Sequence, residues 1–127
     1  MATLSRVLLG NLGALALAAA CLFWLDPERA AAGVGLSLDN ATGAATIRAQ
    51  IGGFFAASGF FALVAAARNQ AQFALAALVL TSFALFGRIV NVAANGWNSL
   101  FLLPIAIECM TIAVIALAWH FMRKLEE

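Results

Sequence analysis

The chain has 127 residues, of which 65% are hydrophobic and only 10% are charged, and its formal net charge is +1. A soluble domain is usually about half apolar and about a quarter charged, so this excess indicates surface that faces lipid. A net charge this small gives no electrostatic basis for nucleic-acid binding, which depends on neutralising phosphates. Because each membrane-crossing helix needs roughly 20 apolar residues, a single domain over residues 1–127 has room for about four.

Four apolar stretches are separated by short polar breaks, and each is long enough to cross a bilayer. A signal peptide is the competing interpretation of the first stretch, but the apolar run continues past Cys21 through Trp24. The predicted fold class is an all-α integral membrane four-helix bundle. Its spans are predicted at about residues 7–25, 45–67, 71–92 and 100–121.

The segment between the first two spans carries signals for the start and the end of a short helix. Asp26 can cap a helix, Pro27 suits the first helical position, and Gly33 can end the helix. We therefore predict a short surface helix of about two turns between spans 1 and 2, followed by an irregular loop.

Small and polar residues share the start of the second span. At 100° per residue, Gly52 and Gly59 lie on the same face as Arg48, whereas Gly53 and Gln50 lie on the opposite face. Small residues allow neighbouring backbones to approach closely, so the three glycines predict a helix packed between two neighbours. Space for a bound molecule is the alternative role of these glycines.

Two ionisable residues interrupt the later apolar stretches, Arg88 in the third span and Glu108 in the fourth. Charges inside a bilayer are costly and usually face protein or water. At 1.5 Å per residue, Arg88 lies roughly 10 Å and Glu108 roughly 15 Å from the turn that joins these spans. An Arg88–Glu108 ion pair is therefore expected, with Asn91 on the same stripe as Arg88. The sequence leaves two roles open for this pair: a structural ion pair, or a site for a ligand or a proton.

Arg48 enters the bilayer from the same side as this pair, and its side chain can either extend to the headgroups or point inward. If it points inward, the site has a surplus positive charge that suits an anionic headgroup or a small acid. The predicted ligand-binding or buried polar cluster consists of Arg48, Gln50, Arg88, Asn91 and Glu108.

The sequence carries no known catalytic, metal-binding or cofactor pattern. Cys109 and Glu108 are neighbours on one helix and point about 100° apart, so they do not suggest a metal site. His120 lies beside Trp119, as an interfacial residue would, and roughly 18 Å along the helix from Glu108. A membrane enzyme with Glu108 as its proton carrier would need a second catalytic group nearby. We predict no catalytic residue, no metal and no cofactor.

The distribution of basic residues predicts the orientation of the chain. Arg29 lies on one side of the predicted membrane, and four basic residues lie on the other. Because lysine and arginine favour cytoplasmic flanks, both termini are expected to be cytoplasmic. The four basic residues are Arg6, Arg68, Arg123 and Lys124.

The motif Arg48-x-Gln50-x-Gly52-Gly53, followed by Gly87-Arg88 and then Glu108, resembles a bacterial family of small four-span membrane proteins. That family is known only as a domain of unknown function. The resemblance covers nearly the whole chain and implies a four-helix membrane bundle, with a bacterial inner membrane as its expected location, but it implies no activity. Gln50 departs from the family pattern, in which an aromatic residue is more usual.

The expected function is that of a small membrane protein which binds or transports a small amphiphile or lipid at an outward-biased polar cluster. Its expected partners are membrane lipid and a small amphiphilic or anionic ligand. The alternative is an accessory or assembly subunit of a larger membrane complex, with other subunits or a second copy as partners. The short loops and small-residue faces favour this alternative.

Overall fold

The computed structural model describes residues 2–126, and all regular structure in this part of the chain is helical. Four helical stretches are long and apolar enough to cross a membrane. A helix bonds its own backbone N–H and C=O groups, which lipid cannot do. The protein is therefore an integral membrane protein, and the predicted all-α four-helix class is confirmed. The four stretches are Thr3–Leu25, Ala41–Arg68, Ala71–Asn95 and Ser99–Glu126.

The first span, α1 (Ala2–Leu25), ends one residue before the short helix α2 (Pro27–Gly33). Asp26 separates the two helices, and its Oδ1 accepts the backbone N–H of Arg29 at 3.2 Å. This bond satisfies one free donor at the start of α2. The short helix predicted between spans 1 and 2 is therefore present. One of its faces packs into the bundle instead of lying free on the surface, through Pro27, Ala30 and Ala31.

The second span is one continuous helix in three parts: α3 (Ala41–Thr46), a π-helical stretch (Ile47–Gly52) and α4 (Gly53–Arg68). In a π-helix each N–H bonds to the carbonyl five residues back, so each turn is wider than in an α-helix. The π-helical stretch, which was not predicted, contains both Arg48 and Gln50. A uniform step of 100° per residue therefore does not place these two side chains correctly.

The third span, α5 (Ala71–Asn95), is followed by a 3₁₀ turn (Ser99–Phe101) and by α6 (Leu102–Glu126). Gly96 ends α5 with a φ of 83°, a left-handed value that glycine adopts without steric cost. Pro104 lies in the first turn of α6, where its missing N–H has no partner to lose. The fourth span consequently continues through this proline to Glu126.

The four spans form a closed ring in which each long helix packs against two others, in the order α1, α4, α5, α6 and back to α1. The core between them is built mainly from alanine, which allows close helix packing. Few large side chains are fully buried among the described residues, so the helices contact each other mainly through closely spaced backbones. The core residues are Leu9, Ala62, Ala65, Ala71, Ala74, Ala77, Ile115, Ala118 and Met122.

Glycine sets the close approach of α1 and α4. A Cβ added at Gly59 would lie 2.8 Å from the carbonyl oxygen of Gly13, and a Cβ at Gly13 would lie 2.9 Å from that of Gly59. Gly52 also faces α1, since its Cβ would lie 2.6 Å from the indole Nε1 of Trp24. By contrast, no atom lies within 4 Å of a Cβ at Gly53. Gly53 therefore makes no close helix contact among the described residues, and its predicted packing role stays a prediction.

Candidate functional site

Arg88 on α5 and Glu108 on α6 form the expected ion pair. The Nε of Arg88 donates to Oε1 of Glu108 at 2.7 Å. The Arg88 side chain is 42% exposed and that of Glu108 only 17%, so the carboxylate is the more enclosed partner. The short turn between α5 and α6 brings both residues to the same depth, which lowers the cost of placing each charge inside the bilayer.

The pair leaves hydrogen-bonding groups without protein partners. Oε2 of Glu108 is buried and has no hydrogen-bond partner among residues 2–126. A buried acceptor without a partner costs about 1–3 kcal/mol, and more when it is charged. A guanidinium carries five N–H donors, and in this part of the chain only the Nε donor of Arg88 is bonded. The site therefore holds one buried carboxylate oxygen without a bond and the unbonded Nη donors of a partly exposed arginine.

A cavity of about 410 Å³ adjoins the ion pair. We call it the ion-pair cavity. It lies between α4, α5 and α6, and Val34 and Leu36 of the loop that follows α2 also line it. Ligand sites of this size are typically apolar, with a few polar groups that fix orientation. The lining follows this pattern, with Val34, Leu36, Ile51, Phe54, Phe55, Ala84, Gly87 and Phe101 as its apolar part and Arg88, Asn91 and Glu108 as its polar part.

Asn91 lies one turn beyond Arg88 on α5 and lines the same cavity. Its Oδ1 accepts a hydrogen bond at 2.9 Å from Nδ2 of Asn95 on the same helix. Of the five residues in the predicted cluster, the structure thus brings together Arg88, Asn91 and Glu108.

The structure does not bring Arg48 to this cluster. Its Nε donates to the backbone carbonyl of Trp24 at 3.0 Å, and Nε1 of Trp24 donates to the backbone carbonyl of Arg48 at 3.0 Å. The guanidinium therefore sits at the C-terminal end of α1, where free carbonyls favour a cation. Gly52 leaves the space that the indole needs. The surplus positive charge of an inward-pointing Arg48 is absent from the site.

Gln50 also lies apart from the ion pair. It lines a second cavity of about 430 Å³, which we call the loop cavity, beside the segment that connects α2 to α3. Thr42 and Thr46 line the loop cavity too. The two cavities share Leu36 and Ile51 as a common wall. Gln50 is therefore a neighbour of the site, separated from Arg88 and Glu108 by that wall.

At the end of the bundle opposite the ion pair, charged side chains bond to backbone groups at helix ends. Nε of Arg6 donates to the carbonyl of Ala66 at 2.9 Å, near the end of α4. Oε1 of Glu126 accepts the backbone N–H of Ala71 at 2.8 Å, at the start of α5. A cation at a helix C-terminus and an anion at an N-terminus both oppose the helix dipole. These residues have structural partners and lie far from the ion-pair cavity.

His120 is exposed on α6 and stacks edge to face against Phe121, with ring centroids 5.9 Å apart. It lines neither cavity. Within residues 2–126, no three His, Cys, Asp or Glu side chains come together as a metal site would require.

Sequence reasoning missed the aromatic lining of the site and the partner of Arg48. Phe101 lies seven residues before Glu108, a spacing that places both on one stripe of the fourth span. That spacing was a usable signal for a lining residue. The bond between Arg48 and Trp24 had no comparable signal, because it depends on the π-helical register.

The fold and the site define a small four-span integral membrane protein with a partly buried ion pair beside a mostly apolar cavity. The model of the family described as a domain of unknown function, DUF4345, matches residues 4–120. The chain belongs to this family, and its resemblance to a domain of unknown function is confirmed. No curated protein and no solved structure matches the chain.

Proposed function

We propose that this protein binds or transports a small amphiphile or lipid, whose polar end occupies the ion-pair cavity. The observation that carries the proposal is the buried Oε2 of Glu108, which lacks a hydrogen-bond partner among the described residues and belongs to a side chain that lines a cavity of about 410 Å³. A ligand that donates a hydrogen bond to this oxygen would remove the cost of leaving it unbonded.

The composition of the cavity supports an amphiphile over a fully polar solute. Phe54, Phe55 and Phe101 provide apolar wall beside the pair of Arg88 and Glu108. A solute that is polar throughout would leave its own groups unbonded against these rings. An amphiphile places its polar end on the ion pair and its apolar part against the aromatic side chains.

We further propose that the cavity opens toward the outer face of a bacterial inner membrane. The start of α1, the end of α6 and four basic residues lie at the end of the bundle opposite the ion pair, and basic flanks favour the cytoplasm. Arg29 lies at the same end as the cavity. The four basic residues are Arg6, Arg68, Arg123 and Lys124.

Cysteine labelling in intact cells tests this orientation. In a background with Cys21 and Cys109 replaced by alanine, Asp39→Cys should react with a membrane-impermeant maleimide, and Lys124→Cys should react only after lysis. The reverse pattern would contradict the proposed orientation.

Native mass spectrometry of protein extracted gently from its own membrane tests the binding proposal. We expect the wild type to carry a small extra mass and Arg88→Ala to lose it. Arg29→Ala is the matched control, since Arg29 is an exposed arginine that lines neither cavity. Retention of the same mass by a folded Arg88→Ala protein would contradict the proposal. A large extra mass, with no small one, would instead favour the role of an accessory subunit.

A further inference from the structure

We infer that the head of the bound amphiphile is zwitterionic, with an ammonium N–H for Glu108 and an anionic oxygen group for Arg88. This inference rests on the proposed function, because it specifies the chemical class of the ligand for the same cavity. It follows from three properties of the ion pair: a free acceptor, free donors and a net charge of zero.

The acceptor requires a donor from the ligand. Oε1 of Glu108 is bonded to Arg88, whereas Oε2 is buried without a partner among the described residues. Hydrogen bonds between an ammonium and a carboxylate are short and roughly twice as strong as bonds between neutral groups. Because Oε2 is buried in this structure, the carboxylate must turn toward the cavity before an ammonium that still carries N–H groups can donate to this oxygen. A quaternary ammonium has the same charge but no N–H to donate.

The donors require an acceptor from the ligand. The Nη groups of Arg88 have no partner in residues 2–126, and the side chain is 42% exposed. A guanidinium binds a phosphate or carboxylate through two parallel bonds because its donors lie in one plane. Phosphate and carboxylate oxygens therefore share the chemistry that suits this side of the pair.

The charge balance favours a head that carries both signs. The cluster holds one guanidinium and one carboxylate, since Arg48 is bonded to Trp24 and contributes no further cation. A purely anionic head would place a second negative charge beside Glu108. That repulsion offsets much of the attraction between the same head and Arg88. A cationic head would meet the same repulsion from Arg88. A zwitterionic head places its ammonium beside Glu108 and its anionic group beside Arg88, so both of its charges are attracted.

Lipid titration by native mass spectrometry tests the inference with three lipids that have identical acyl chains. Phosphatidylethanolamine has both required groups. Phosphatidylcholine has the same charges without an N–H, and phosphatidylglycerol has hydroxyl donors but a net negative charge. We expect phosphatidylethanolamine to bind the wild type about tenfold more tightly than either of the others, the factor that one charge-assisted hydrogen bond provides.

Two variants connect this preference to Glu108. In Glu108→Gln the ratio between phosphatidylethanolamine and phosphatidylcholine affinities should fall to about one, because the carboxylate that prefers an ammonium is gone. Asp39→Asn is the control for loss of a negative charge, since Asp39 is exposed and lines neither cavity. It should keep the tenfold ratio. The lipid comparison in the wild type stands by itself if Glu108→Gln does not fold.

The outcomes separate failure of the inference from failure of the proposed function. Equal or tighter binding of phosphatidylcholine or phosphatidylglycerol would overturn the zwitterionic head and leave an amphiphile site in place. Binding of all three lipids that is unchanged by Arg88→Ala would overturn the site itself. Glycerophosphoethanolamine, which is the same head without acyl chains, identifies the source. Its competition at equal concentration would indicate a soluble zwitterion, and its failure to compete would indicate the lipid. Both results support a zwitterionic head.

Discussion

The close crossing of α1 and α4 depends on the absence of a side chain at Gly59, and Gly59→Ala perturbs it directly. The added Cβ would lie 2.8 Å from the carbonyl oxygen of Gly13 and 2.9 Å from the backbone N of Leu17. Ordinary contacts of a Cβ begin at 3.4 Å, so the two helices must separate by about 0.6 Å. Both obstacles are backbone atoms, which cannot move aside as the end of a flexible side chain can.

Gly53→Ala provides the reference for the size of this effect. Overpacking a close contact costs about 1–3 kcal/mol. Replacing glycine by alanine inside a helix also gains about 0.5–1 kcal/mol through the entropy of the unfolded chain. Gly53 begins α4 with helical backbone angles, and nothing lies within 4 Å of its added Cβ, so Gly53→Ala measures that gain alone. We expect Gly59→Ala to be less stable than Gly53→Ala by about 1–3 kcal/mol.

Reversible unfolding in mixed micelles of a mild detergent and sodium dodecyl sulfate, followed by far-ultraviolet circular dichroism, measures this difference. Gly13→Ala should resemble Gly59→Ala, because its Cβ would lie 2.9 Å from the carbonyl oxygen of Gly59. Equal stability of Gly59→Ala and Gly53→Ala would refute the argument that the glycine contact sets the distance between α1 and α4.

Three further predictions use the same unfolding assay. Arg88→Met should destabilise the protein by about 2–3 kcal/mol because it leaves the Glu108 carboxylate unpaired, and adding Glu108→Leu should recover most of this loss. Trp24→Phe should cost about 1 kcal/mol, since the carbonyl of Arg48 loses its donor, without affecting the ligand mass. Arg6→Met should cost about 1 kcal/mol and speed amide hydrogen exchange in the last turn of α4, because the carbonyls there lose a cation.

Each of these predictions has a result that would contradict it. A double variant as unstable as Arg88→Met would show that an unpaired Glu108 is not the source of the loss. Release of the ligand by Trp24→Phe would connect Trp24 to the ion-pair cavity, against the geometry described above. Unchanged exchange in Arg6→Met would show that the bonds from Arg6 do not protect the end of α4.

Much of the fold was predictable because its strongest determinants are local. Runs of apolar residues fix the four spans, and Asp26 and Gly96 mark helix boundaries through backbone preferences that any context would respect. The pair of Arg88 and Glu108 was also predictable, since a short turn makes α5 and α6 neighbours and sets the two residues at similar depth. Depth and adjacency can both be calculated from residue counts.

The position of Arg48 could not be predicted from the same counts. A helical wheel assumes one step per residue, and the π-helical stretch Ile47–Gly52 breaks that assumption at the residues in question. Gly13 was overlooked for a different reason, because a glycine within α1 has meaning only when the helix that crosses it is known.

The contacts that hold the bundle together are unevenly distributed along the chain, and this bears on how the protein is made. The glycine crossing, the bonds between Arg48 and Trp24, and the bonds of Arg6 to the end of α4 all join the first two spans to each other. During synthesis these spans leave the ribosome first. The first two spans can therefore pack as a helical hairpin, held by these contacts, before the third and fourth spans enter the membrane. Arg88 and Glu108 are inserted later, and they then pair beside α4, which is already packed against α1.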